Sequence, residues 1–101
     1  MATIYIAGAI SGQQDYNVTA FRRKDEDLSC EGNVVINPTR YIPIHNAESI
    51  PQEAYMKISY AMIDACDTLY FLQGWRDSVG AVKEYDYAIN HDKLIIFEPE
   101  K

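Results

Sequence analysis

The strongest candidate for chemistry in this chain is Glu84, reached through the stretch Gln73-Gly74-Trp75-Arg76-Asp77-Ser78-Val79-Gly80-Ala81-Val82-Lys83-Glu84. Before it, Thr68-Leu69-Tyr70-Phe71-Leu72 is a short β-branched, aromatic and leucine run that reads as a buried strand. After the turn, Ala81, Tyr85, Ala88 and Ile89 recur at helical spacing, with Ser78 in the N-cap position. Glu84 falls on that stripe. An inward carboxylate costs free energy unless it is partnered or used, and its position just past a strand-to-helix junction is where α/β proteins build sites. The competing reading is a glutamate at the margin of the stripe whose head reaches water.

The other elements decide what Glu84 meets. Thr3 to Ala7 reads as a first strand that runs into Gly8-Ala9-Ile10-Ser11-Gly12, where two glycines let backbone approach a ligand closely. The loop lacks the Gly-Lys-Ser/Thr of a Walker A motif and the spacing of a dinucleotide fingerprint. Asn17 can cap a first helix that carries Val18, Phe21 and Leu28 inward and ends at Glu31-Gly32. The run Arg22 to Asp27, of mixed sign, reads as a solvated face. Asn33 to Ile36 is a second strand, stopped by Asn37-Pro38. Thr39 to Ile50 is a long loop in which Tyr41 or Ile44 can lie against a base and His45 reads as exposed, as does His91 later. Ser49 with Gln52 resembles a capping box and Pro51 suits a first helical turn. The second helix then carries Tyr55, Ile58, Met62, Ile63 and Cys66 on one stripe, with Ser59 on the same face. Lys93 to Phe97 closes the chain as a fourth strand.

Three strand–helix–strand steps predict a parallel sheet with helices on both faces, right-handed connections and strand order 2-1-3-4. That order sets the loops after strands one and three side by side at the switch point. Tyr5, Ser78 and Glu84 can then face one pocket, the Tyr hydroxyl donating to the carboxylate. The amides of the third helix start and Ser78 suit a phosphate. A buried carboxylate beside a bound sugar suits attack on an anomeric carbon, with a second acid/base group serving the leaving group.

These residues carry a resemblance. Tyr5-Ile6-Ala7-Gly8-Ala9-Ile10-Ser11-Gly12 resembles the Y-x-x-G-x-I-x-G opening of the 2′-deoxynucleoside 5′-phosphate N-hydrolases, and Ser78 to Glu84 resembles their S-x-G-x-x-x-E segment. Both belong to the nucleoside 2-deoxyribosyltransferase superfamily. Asn17 to Phe21, Asn37-Pro38, Cys66-Asp67 and Gly74-Trp75 extend the similarity to short deoxyribosyltransferase-like proteins of bacteria and phages over nearly the whole chain. The resemblance implies a flavodoxin-like three-layer fold in a single domain, 1–101, and no metal or organic cofactor. It implies Glu84 as nucleophile, Tyr5 as the residue that orients it and Ser78 as a phosphate ligand. Gly8, Ala9, Ile10, Ser11 and Gly12 would surround the nucleotide, with Asn37, Trp75 and Gly80 also at the ligand. The sugar passes to water or to a second base. Two positions depart from the pattern. Ser59 stands where the relatives carry the aspartate that assists the leaving base, and Ser11 stands where they carry an arginine. Asp64 points away from that face, and Asp67 lies about 12 Å further along the helix direction, which leaves Asp77 as the substitute acid/base. A catalytically silent nucleotide-binding protein is the alternative. A phospho-receiver reading fails because strand three ends in Leu72-Gln73-Gly74 without an aspartate, and nothing points to a flavin carrier.

The totals bound these readings. One hundred and one residues make one core with a modest buried fraction, which predicts a homodimer or higher homo-oligomer. A formal net charge of −6 argues against holding a nucleic-acid polymer, though not a single nucleoside or nucleotide. The longest apolar runs fall far short of the roughly 18 residues of a membrane span, and the expectation is a cytoplasmic protein. Cys30 and Cys66 lack metal-binding spacing and read as buried free thiols.

Overall fold

The computed structural model describes residues 1–42 and 50–99. The chain alternates strand and helix: β1 (Thr3–Ala7), α1 (Val18–Cys30), β2 (Val34–Ile36), α2 (Gln52–Asp64), β3 (Thr68–Phe71), α3 (Val79–Asn90) and β4 (Leu94–Phe97). The four strands form one sheet of order β2-β1-β3-β4, every pair parallel. Helices cover both faces, so the arrangement is the flavodoxin-like one expected from the alternation of elements. In register, Tyr5 lies between Ile36 and Leu69, and Phe71 lies beside Phe97.

The period of two along each strand divides the core in two. Ile4, Ile6 and Tyr70 pack against Phe21 and Leu28 of α1, while Tyr5, Ala7, Leu69 and Phe71 pack against Ile63 of α2 and Ala88 of α3. Tyr5 therefore looks into the layer that α2 and α3 share. On β4, an edge strand, Leu94, Ile96 and Phe97 remain exposed. Among the described residues no helix is long and apolar enough to cross a membrane.

Several local expectations shift. The inner stripe of α2 is Met56, Ser59 and Ile63, with Ile58 exposed, because the centre of the buried face is held by a small polar residue rather than by the nearest large apolar one. Ile89 of α3 is likewise exposed, and the inner positions there are Ala81, Glu84 and Ala88. Cys66 is a buried free thiol but Cys30, in the last turn of α1, is exposed. Pro51 precedes α2 rather than lying in its first turn. Asn17 occupies the cap position of α1 at a left-handed φ of 62° and makes no side-chain cap; its Nδ2 donates to the Ala9 carbonyl at 3.0 Å instead. Only part of the charged run on α1 is solvated. Lys24 lies 4.9 Å over the Tyr70 ring and Asp25 accepts from Asn37, at side-chain exposures of 21% and 14%. Ile44, His45 and Ser49 lie outside the described residues.

Candidate active site

Three elements each send one polar side chain into the layer between the sheet and the α2–α3 pair. Tyr5 comes from β1, Ser59 from α2 and Glu84 from α3, and their exposures are 1%, 0% and 6%. Tyr5 is inward because it alternates with Ile4 and Ile6 on a central strand, and Glu84 because it sits three residues after Ala81 and four before Ala88. The Tyr5 hydroxyl donates to Glu84 Oε2 at 2.5 Å.

Burial pushes the Glu84 carboxyl up to about 7, against the pull of Tyr5 and Ser59, which favour the carboxylate. Tyr5 is raised well above the ordinary tyrosine value, first by burial and then by the neighbouring Glu84 charge, so it stays a donor. The Ser59 hydroxyl completes no hydrogen bond, although it is near enough to both groups to favour their ionised forms.

Glu84 and Tyr5 form part of the wall of a cavity of about 540 Å³ at the carboxyl edge of the sheet. Gly8, Ile10 and Ser11 line it from the loop after β1, and Asp77, Ser78 and Gly80 line it from the junction after β3. The two loops converge as the strand order requires. At Gly8 a Cβ would lie 3.2 Å from the Leu72 side chain and 3.3 Å from Phe21 Cζ, so any larger residue would require those side chains to give by a few tenths of an ångström. Ser78 caps α3, its Oγ accepting from the Ala81 amide at 3.2 Å. With that lone pair engaged, its O–H remains available to a ligand, as do the first amides of the helix, Val79 and Gly80, which line the cavity.

The remaining expected residues lie elsewhere. Ala9 is buried and its carbonyl is taken by Asn17, and Gly12, at φ 78°, shapes the exposed turn that follows; neither lines the cavity. Asn37 is 2% exposed and fully engaged, donating to Asp25 and accepting from the Thr39 amide and hydroxyl. It shapes the Pro38–Arg40 turn, and Pro38 lines the cavity in its place. Trp75 faces away from the cavity and stacks on Tyr85 and Phe97, at centroid distances of 5.1 and 5.6 Å. Asp64 accepts from the Tyr87 hydroxyl, and Asp67 accepts from Thr68 and from the Thr3 amide at the amino edge of the sheet. Neither can serve the pocket.

Gln52 and Tyr55, at the start of α2, also line the cavity, although the sequence alone marks them only as a capping-box residue and a position on the apolar stripe. Burial, with the Glu84 charge behind it, pushes the Tyr55 hydroxyl up to about 12. The signal was its spacing: Tyr55 precedes Ser59 by four residues and so shares its helical face. Among the described residues no group of three His, Cys, Asp or Glu side chains is placed to hold a metal ion.

Comparison with proteins of curated function and with solved structures returns no match. Residues 2–97 match the family model described as a domain of unknown function, DUF4406, and the chain belongs to that family.

Proposed function

We propose that the protein cleaves the N-glycosidic bond of a 2′-deoxynucleoside or its 5′-monophosphate, with Glu84 as nucleophile. The observation that carries this reading is the buried Glu84 carboxyl, oriented by Tyr5 at the wall of a cavity large enough for a nucleoside. Ionised Glu84 attacks C1′ of the sugar. The C1′–N bond breaks with its electron pair passing to the base, which takes a proton from an acid beside it. A water, or a second base, then attacks C1′, releases the sugar and returns the Glu84 carboxylate. Asp77, which lines the cavity next to Ser78, is the carboxyl suited to give that proton and to accept one from the water. Tyr5 holds one Glu84 oxygen, leaving the other to react.

A second reading is a binding protein without turnover. It is favoured by Ser59, a hydroxyl where the resemblance calls for a carboxylic acid. The exposed apolar residues of β4 support a homodimer or higher homo-oligomer in either case, acting in the cytoplasm on a small molecule. The deciding experiment incubates the protein with a panel of deoxynucleosides and their monophosphates and measures free base. Release that disappears in Glu84→Gln supports the enzyme; binding by calorimetry without release supports the second reading.

A further inference from the structure

Glu84 and Tyr5 line the cavity from its buried end, in the layer between the sheet and the α2–α3 pair. A nucleophile displaces its leaving group from the opposite side of the reacting carbon, so a base displaced by Glu84 departs towards the mouth, at the carboxyl edge of the sheet. α2 begins at that edge, because it follows β2 in a parallel sheet, and it runs inward past Ser59. Tyr55 precedes Ser59 by four residues and therefore stands one helical turn, about 6 Å, nearer the mouth. Its half-buried ring packs on the cluster that contains Ile10 and Phe21, two residues that themselves line the cavity, so the phenol is held from its apolar side. The hydroxyl lies within reach of the Glu84 charge and, among the described residues, has no hydrogen-bond partner of its own.

Breaking the C1′–N bond sends its electron pair into the base, where the charge spreads over ring nitrogens and carbonyl oxygens that accept hydrogen bonds. A neutral O–H placed at such an atom gains strength as the charge grows, and it needs no reorganisation to do so. We infer that Tyr55 is a further catalytic residue, donating a hydrogen bond from its hydroxyl to the departing base; this rests on the glycosidic reading above. The phenol keeps its proton throughout, and the proton that neutralises the base still comes from the acid. Burial and the Glu84 charge hold Tyr55 protonated far above neutral pH, which suits a donor and not a proton-transfer acid. Ser59 leaves this side of α2 without a carboxyl, and Tyr55 supplies a donor one turn above it.

The test uses the full chain and Tyr55→Phe, which keeps the ring and its packing, and reads single-turnover base release on matched pairs. One pair is 2′-deoxyuridine with its 5-fluoro analogue and the other 2′-deoxyguanosine with its 7-methyl derivative, each as nucleoside or 5′-monophosphate according to what the native protein turns over. In each pair the second base leaves with less charge to stabilise. Tyr55→Phe is expected to slow release from the parent compound by about 10- to 100-fold, and from the activated partner by about threefold or less. Kd for the parent, measured in the Glu84→Gln background, should change little. An equal loss on both members of a pair, or no loss on either, overturns the role of Tyr55, and release that still depends on Glu84 leaves the glycosidic reading standing. A rise in Kd as large as the fall in rate makes Tyr55 a binding residue only and likewise overturns the inference. No base released by the native protein from any member of the panel removes both.

Discussion

The Tyr5 hydroxyl and Glu84 Oε2 stand 2.5 Å apart although 79 residues separate them in the chain. Because the donor is itself buried and raised well above its ordinary value, the bond favours ionised Glu84 against the burial that opposes it. Only ionised Glu84 can attack, so kcat/KM is expected to rise through a limb near pH 7, the value to which burial brings the carboxyl. Tyr5→Phe removes one of the two interactions that hold it down. The limb should move to higher pH by about one to two units, with kcat falling as well, since a charge-assisted bond of this kind contributes roughly 1.5–3 kcal/mol. A limb near the ordinary carboxyl value in the native protein would sink this account of Glu84.

The same shift sets a dependence of stability on pH, with a sign opposite to that of a salt-bridged carboxylate. Glu84 is near 4.5 when unfolded and about 7 when folded, so between those values the folded state binds more protons. Stability from this group is complete below about pH 4.5 and is lost as pH rises towards 7, by an amount on the order of 3 kcal/mol. Glu84→Gln keeps an acceptor for Tyr5 and removes the titration. Its Tm should exceed that of the native protein at pH 8, and the gap should close towards pH 5. Parallel curves across that range would show that burial does not hold the proton.

Much of this was legible in the sequence, and the places where it was not share a cause. Strand–helix alternation points to a doubly wound parallel sheet, and the order 2-1-3-4 that the structure shows brings the loops after β1 and β3 together, so that Tyr5, Ser78 and Glu84 line one cavity. Less legible are large or polar residues whose partners lie outside their own segment. Hydrophobicity alone puts Ile58 on the inner face of α2, yet it is exposed and the centre of that face is Ser59, which faces Tyr5 of β1 and Glu84 of α3. The resemblance puts Asn37 at the ligand, whereas in the structure its side chain donates to Asp25 on α1 and accepts within its own turn. No spacing within residues 33–40 could reveal a partner twelve positions earlier.

Trp75 sits within the most distinctive stretch of the chain and nonetheless works in packing. Its indole stacks on Tyr85 and Phe97 and tilts against Phe71 at 4.8 Å, tying the loop after β3 to α3 and β4. Trp75→Ala should therefore lower unfolding stability by about 2 kcal/mol, less than a fully buried tryptophan, because the ring is only partly covered. Kd for a bound nucleoside, measured well below the variant's Tm, should change much less. A large loss of affinity with unchanged stability would place the indole at the ligand after all.

Ser59 gives the sharpest separation between structure and chemistry. Its hydroxyl is wholly buried and completes no hydrogen bond, so Ser59→Ala removes an unsatisfied group and should leave stability within about 1 kcal/mol of native or raise it. Ser59 also favours ionised Glu84, so the same substitution should move the acidic limb to higher pH, a change that a purely structural serine would not produce. Ser59→Asp tests the missing acid directly. Two carboxyl groups in this dry layer cannot both ionise cheaply, so one should keep its proton near neutral pH and stand ready to protonate a leaving base. The expected result is a gain in base release of up to about 10² near pH 6.5, accompanied by a loss of Tm above pH 7. Loss of Tm with no gain in release would mean that position 59 does not reach the leaving group, and that Asp77 carries the proton alone.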